Sequence, residues 1–157
     1  MKAETKKRIR ILSWVLFVLY LLLLMYFLFF SEWYGRKNWI EEDYRYNLVL
    51  FKEIRRFWIY REQLGMEAVL LNLAGNVVGF LPFGFILPII SRRMRHFWLT
   101  SLMGFLMSFF VECLQLIGKV GSFDVDDLLL NTAGALAGYI LFAICNGIRR
   151  WYYEKKV

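Results

Sequence analysis

Apolar residues fall into four long blocks along this chain, Ile11 to Phe30, Ala68 to Ile90, Phe97 to Ile117 and Leu128 to Ile148, parted by polar or charged stretches. Each block approaches the roughly 20 residues, about 30 Å at 1.5 Å per residue, that a helix needs to cross a bilayer. The pattern predicts an all-α membrane protein with four transmembrane helices, its 157 residues forming a single integral membrane domain. Between the first two blocks lies an outer loop, residues 31 to 67. Within it Leu50, Phe51, Ile54 and Phe57 to Trp58 recur at helical spacing, opposed by Lys52, Glu53, Arg55 and Arg56. That spacing predicts a short amphipathic helix on the outer surface of the membrane.

The four blocks differ in kind. The first, ILSWVLFVLYLLLLMYFLFF, is apolar on every side and lacks a small-residue stripe, so it reads as a lipid-facing anchor. Trp14 and the Trp33 and Tyr34 pair mark its two interfaces, where amphipathic aromatics collect. Its apolar run is too long for a signal peptide and no A-x-A-like site follows, which predicts an uncleaved helix. The second block places Asn72 and Asn76 on one face, with Gly75 and Gly79 as a small-xxx-small pair that permits close helix approach. Pro82 removes a backbone hydrogen bond and is expected to kink this helix, with Gly84 easing the distortion. Broken backbone at membrane depth is tolerated only against protein or a wet cavity, so the second helix is expected in the interior.

Ser101, Gly104, Ser108, Glu112 and Gln115 fall on one narrow stripe of the third helix. The fourth carries Asp127, Asn131, Gly134 or Ala135, and Gly138, again on one stripe, with Gly134 and Gly138 as a second small-xxx-small pair. Three helices thus each present one polar and small face. Those faces are expected to pack together and to leave the first helix as the outlier.

Charge fixes an orientation. The net charge of +7 would suit a nucleic-acid partner if it were spread evenly, but it is segregated. Lys2, Lys6, Lys7, Arg8 and Arg10 precede the first helix, Arg92, Arg93 and Arg95 fill the second short loop, and Arg149, Arg150, Lys155 and Lys156 follow the fourth helix. Residues 31 to 67 balance seven basic against seven acidic side chains, and residues 112 to 127 set Lys119 against Glu112, Asp124, Asp126 and Asp127. By the positive-inside rule both termini of a multi-pass cell-membrane protein lie in the cytoplasm, and the acidic loop faces outward. The basic excess is therefore a topology signal, with attraction to anionic lipid as a by-product and no nucleic-acid partner implied. Cys113 and Cys145 should differ in depth by roughly 20 Å, beyond disulfide reach, and read as small core residues.

This topology gathers polar side chains at one end of the bundle. Asn72 and Asn76, Glu112 and Gln115, and Asp124, Asp126, Asp127 and Asn131 all fall toward the outer leaflet. Such a cluster has three physical uses. Glu112 and Asp127 can act as an acid and base pair, one carboxylate desolvated and the other hydrated. Carboxylate and amide oxygens suit a divalent cation, calcium or magnesium. Or Asn72, Asn76, Gln115, Asp124, Asp126 and Asn131 can bind a lipid headgroup or a lipid-linked cell-wall component without chemistry.

The alternative is structural: Asp126 or Asp127 caps the fourth helix, and the asparagines serve as interhelical glue. Glu112 fits that alternative least well, because a structural hydrogen bond at membrane depth rarely requires an ionisable group. Common catalytic signatures are absent: there is no G-x-S-x-G, no Gly-rich phosphate loop and no H-E-x-x-H. The single histidine, His96, sits in the basic loop RRMRH and reads as an interfacial residue. Four helices without inverted-repeat similarity match a secondary transporter poorly.

The same residues resemble a known family, the VanZ-like membrane proteins, named for a teicoplanin resistance protein. The carriers are NLVLFKEI at 47 to 54, NLAGNVVGFLPFGFILP at 72 to 88, SFFVECLQ at 108 to 115 and FDVDDLLLNTAGALAGY at 123 to 139. The resemblance marks Asn72, Asn76, Pro82, Gly84, Glu112, Gln115, Asp124, Asp127 and Asn131 as motif positions. Two departures stand out: Leu50 where a proline is common, and Gly121 where a basic residue often precedes the FDVDD run, which leaves Lys119 as the nearest cation. What the resemblance implies is an envelope protein associated with reduced susceptibility to teicoplanin-type lipoglycopeptides. It implies no defined reaction.

Overall fold

The computed structural model describes residues 3–30 and 44–155. In chain order these form α1 (Ala3–Phe30), the two-residue strand β1 (Tyr46–Asn47), α2 (Lys52–Ile59), the single turn α3 (Arg61–Leu64), α4 (Met66–Ile90), α5 (Phe97–Ile117), β2 (Phe123–Asp124) and α6 (Val125–Glu154). Among the described residues α1, α4, α5 and α6 are long and apolar enough to cross a membrane. The chain is a multi-pass membrane protein. Trp33 and Tyr34, expected at the end of the first helix, lie outside the described residues, as does the rest of 31–43.

The closest contact in the bundle is between α4 and α6, which run in the same direction. A Cβ added to Gly134 would overlap the Val77 carbonyl, one on Gly138 would overlap the Leu81 carbonyl, and one on Gly84 would overlap the backbone of Ala135. The two backbones therefore touch, as small residues on facing helices allow. Gly79 does not join this contact in the same way. A Cβ on Gly79 would meet only the Leu24 side chain, at an ordinary 3.6 Å. α5 packs antiparallel across the pair, where Gly104 brings a hypothetical Cβ to 2.6 Å from Ala135 Cβ.

α4 runs as one helix from Met66 to Ile90 through both Pro82 and Pro88. Each proline lacks an N–H, so the carbonyls of Val78 and Gly84 have no proline donor one turn on. Phe80 and Phe83 are buried on this helix. Around them sit Leu24, Leu28 and Val111 on one side and Phe17, Ile90 and Ala135 on the other.

α1 is less of an outlier than its composition suggests. Ser13, Phe17, Leu24 and Leu28 form one buried stripe, while Leu12, Val15, Leu19, Leu22 and Leu23 are exposed. Tyr20 adds a directional tie, its hydroxyl donating to the Gly79 carbonyl at 2.8 Å. A lipid-facing side chain is as apolar as a protein-facing one, so no periodicity in the sequence distinguishes the two faces. On α5 the buried stripe starts at Thr100 rather than Ser101: Thr100, Gly104, Ser108, Glu112 and Gln115 are buried, and the Ser101 hydroxyl turns back to its own helix at Phe97 O. Cys113 is half-buried and Cys145 is exposed, so Cys145 is not a core residue.

Outside the spans, β1 and β2 pair in parallel with Tyr46 opposite Phe123 and Asn47 opposite Asp124. The segment before α2 is thereby tied to the start of α6. On α2, Ile54 and Phe57 are half-buried, whereas Leu50, Phe51 and Trp58 are exposed.

The α4 and α6 contact generates a stability prediction. Gly138→Ala forces a methyl against the Leu81 carbonyl and should destabilise the protein in detergent by roughly 1–3 kcal/mol, the usual cost of overpacking. Gly147→Ala is the control, because a Cβ there meets nothing within 4 Å. On helix propensity alone that change should leave the thermal midpoint unchanged or raise it. Equal midpoints for the two variants would show that the backbones do not touch.

Candidate functional site

The loop after α5 delivers three aspartates in four residues, and the fold gives each a different task. Asp124 is the N-cap of α6 and its Oδ1 accepts from the Asp126 N–H at 2.8 Å. That satisfies one of the unpaired donors of the first turn and sets a carboxylate at the positive end of the helix dipole. The same oxygen accepts from Asn47 Nδ2 at 3.1 Å, a bond that reaches across 77 residues of chain. Asn47 in turn closes its own turn with Val49 N donating to its Oδ1 at 3.1 Å. Burial pushes the Asp124 carboxyl above its ordinary range, opposed by the Asp126 N–H and the Asn47 amide.

Asp126, only 1% exposed, points the other way. Its Oδ1 accepts from Phe51 N–H, and its Oδ2 accepts from Glu53 N–H at 2.8 Å and Ile54 N–H at 3.2 Å. These are the opening amides of α2, whose N-cap, Phe51, supplies no side-chain acceptor of its own. The left-handed backbone of Phe51, at φ 63°, turns its N–H toward the same carboxylate as the helical amides. Asp126 is therefore the cap of α2, supplied from a helix more than 70 residues away in sequence. The capping role that the sequence allows to Asp126 or Asp127 on the fourth helix belongs instead to Asp124.

Asp127 faces α4 and accepts a hydrogen bond from Asn76 Nδ2. Glu112, 2% exposed, approaches from α5, and its Oε2 accepts the Asp124 N–H at 2.9 Å. Glu112 and Asp127 are thus held by different partners, a backbone amide and a side-chain amide. Glu112, Asp124, Asp126 and Asn47 form one connected network, and Asn76 with Asp127 forms a second.

The remaining amides do not converge on these networks. Asn72 donates to the Ala68 carbonyl of its own helix at 2.8 Å. Gln115 donates to the Leu28 carbonyl at 3.0 Å and ties α5 to the end of α1. Asn131, 1% exposed, donates to Ser108 Oγ at 2.9 Å. Its Oδ1 has no hydrogen-bond partner among the described residues. Lys119, the nearest cation in sequence, stands over the Tyr44 ring at 4.9 Å. Among the described residues no three His, Cys, Asp or Glu side chains are grouped so as to hold a metal. Both Asp126 oxygens and one of Asp124 accept N–H donors, an arrangement built for amides rather than for a calcium or magnesium ion.

Asn47 is the residue that the sequence reading passes over. It opens the NLVLFKEI run, but nothing near it in sequence explains a buried amide, because its partner arrives from the start of α6.

Removing the Asp126 carboxylate leaves three amides without their acceptor. Asp126→Ala should raise hydrogen exchange across Lys52–Leu64 by roughly 10- to 100-fold, at about 1.4 kcal/mol per tenfold, with Asp126→Asn in between. Exchange in α5 should change far less. Unaltered exchange at Phe51, Glu53 and Ile54 would remove Asp126 as the anchor of α2.

Comparison with known proteins finds no match among curated proteins and none among solved structures. The family model described as VanZ/LLP1 matches residues 17–146, which takes in α4 and α5 whole, part of α1, most of α6 and both polar networks. The chain belongs to the VanZ/LLP1 family.

Proposed function

We propose that this VanZ-family membrane protein lowers susceptibility to teicoplanin and related lipoglycopeptides by acting at the outer face of the membrane. There it engages a membrane lipid, a lipid-linked cell-wall component or the lipoglycopeptide itself. The observation that carries the reading is the family match over residues 17–146. On this reading residues 1–157 are one domain with both termini in the cytoplasm. The basic residues at one end of the bundle and the acidic FDVDD segment at the other support that orientation. α2, held by Asp126, then lies over the outer end of the bundle.

The carboxylates support holding over chemistry. Asp124 and Asp126 spend their oxygens on backbone and amide donors, which favours a scaffold that fixes the outer segment. A second reading has one observation in its favour: Glu112 is an ionisable side chain buried at membrane depth, where a purely structural role rarely needs one. In that reading Glu112 and Asp127 serve as acid and base on a lipid or lipid-linked cell-wall substrate.

Expression in a susceptible Gram-positive host tests both. The wild type should raise the inhibitory concentration of teicoplanin, and Asp126→Ala should reduce that gain with the protein still present in the membrane. No change with wild-type protein sinks the resistance reading. Lipid profiling separates the two mechanisms. Holding leaves every lipid species chemically unchanged, whereas an enzyme creates a new species that Glu112→Gln and Asp127→Asn abolish.

A further inference from the structure

A cavity of about 190 Å³ lies between α1 and α4, reaching to Asn131 on α6. Its walls are apolar: Leu24, Phe27 and Leu28 from α1, Val78 and Phe80 from α4. Gly75 and Gly79 line it without side chains, which is where the room comes from. The Gly75 and Gly79 pair therefore makes space where Gly134 and Gly138 make contact. The volume exceeds the roughly 150 Å³ that admits benzene into a dry apolar cavity. Its mouth is flanked by Phe27 and Val78, 51% and 63% exposed, on the outer surfaces of two spanning helices, where the surroundings are lipid chains.

One end of the cavity is polar. Asn76 and Asn131 line it, with the Asp127 carboxyl bonded behind Asn76. Asn76 donates one N–H to Asp127 and Asn131 donates one to Ser108, while the Asn131 Oδ1 accepts nothing. An uncompensated amide oxygen in apolar surroundings is costly. The terminal torsion of asparagine is soft, so a rotation that gives up the Ser108 bond turns that oxygen onto the cavity that Asn131 lines. A phosphate or carboxylate brings no donor to the Asn131 oxygen. A hydroxyl or amide N–H would supply the missing donor.

We infer that this cavity is a binding site for a lipid acyl chain whose first polar group is a neutral hydrogen-bond donor, the chain entering between Phe27 and Val78 and the donor meeting Asn131. The site is independent of the susceptibility reading, because it concerns the cavity wall rather than the capped aspartates.

Photolabelling of the full-length protein in phosphatidylcholine vesicles tests it. The probe is a monoacylglycerol carrying a diazirine in its chain, and the comparator is the methyl ester of the same acid, which has no donor. The monoacylglycerol should label the cavity-wall peptides around Phe27 and Val78 about fivefold more than the ester does, the scale of one hydrogen bond. Val78→Trp blocks the mouth from an exposed position that leaves the core intact. It should bring wall labelling down to that of exposed Leu102 on α5. Asn131→Leu should keep the labelling and abolish the preference for the donor. Equal labelling of wild-type protein by the two probes, or wall labelling no higher than at Leu102, overturns the assignment, whatever the susceptibility assay gives.

Discussion

The contact of α4 and α6 at backbone distance is the constraint on which the other features depend. Two parallel helices that touch through Gly84, Gly134 and Gly138 have little freedom to slide, since each glycine faces a carbonyl or backbone atom of the partner. In lipid there is no hydrophobic force between helices, so close packing of small residues is what holds such a pair together. Register follows from it. With Val77 against Gly134 and Leu81 against Gly138, Asn76 meets Asp127 near the start of α6, and Asn131 falls where α5 presents Ser108. The same approach leaves the Gly75 and Gly79 side of α4 to α1, whose larger side chains close over it incompletely.

Parallel packing also concentrates helix N-termini at one end of the bundle. α4 and α6 both begin there, and α2 starts beside them, so unpaired amides accumulate where apolar surroundings make them costly. The FDVDD segment answers with carboxylates in consecutive roles. Asp124 faces its own helix, Asp126 faces α2 and Asp127 faces α4. Residues close together at the start of a helix point in different directions, so three acids within four residues reach three different elements. Glu112 completes the arrangement by taking the Asp124 amide from α5.

Much of this was legible in the sequence. The four spans emerge from the lengths of apolar runs, because a bilayer imposes a length that hydropathy reports directly, while the helices α1, α4 and α6 run past the apolar blocks at their ends. The cluster of Asn76, Glu112, Asp124, Asp126 and Asp127 at one end followed from charge asymmetry and the antiparallel order of the helices. What each acid touches did not follow. The partners of Asp126 are backbone amides, which carry no side-chain signature, and the partner of Asp124 is Asn47, brought close by a two-residue parallel pairing too short to leave an alternating pattern. The buried stripe of α1 was hidden for a different reason, since lipid and protein ask for the same apolar residues. Asn72 and Asn76 share a face, yet Asn72 bonds within its own helix, where its amide reaches the Ala68 carbonyl one turn back.

The division of the acids constrains any ligand at this end. Asp124 and Asp126 are engaged by five donors between them, counting Asn47, the Asp126 amide, and Phe51, Glu53 and Ile54. A ligand that recruits these carboxylates must displace backbone amides and so unfasten α2 and the β1 segment from the bundle. Binding there would be coupled to movement of the β1 and α2 segment, by at least the free energy of the hydrogen bonds given up. Asn76, Asp127 and Asn131 lie under no such condition. Their partners are single side chains, and two of the three border the cavity, so a ligand there would leave α2 fastened. A ligand at this end would therefore meet the bundle in one of two ways: through the α1 and α4 cavity with α2 in place, or through Asp124 and Asp126 with α2 released.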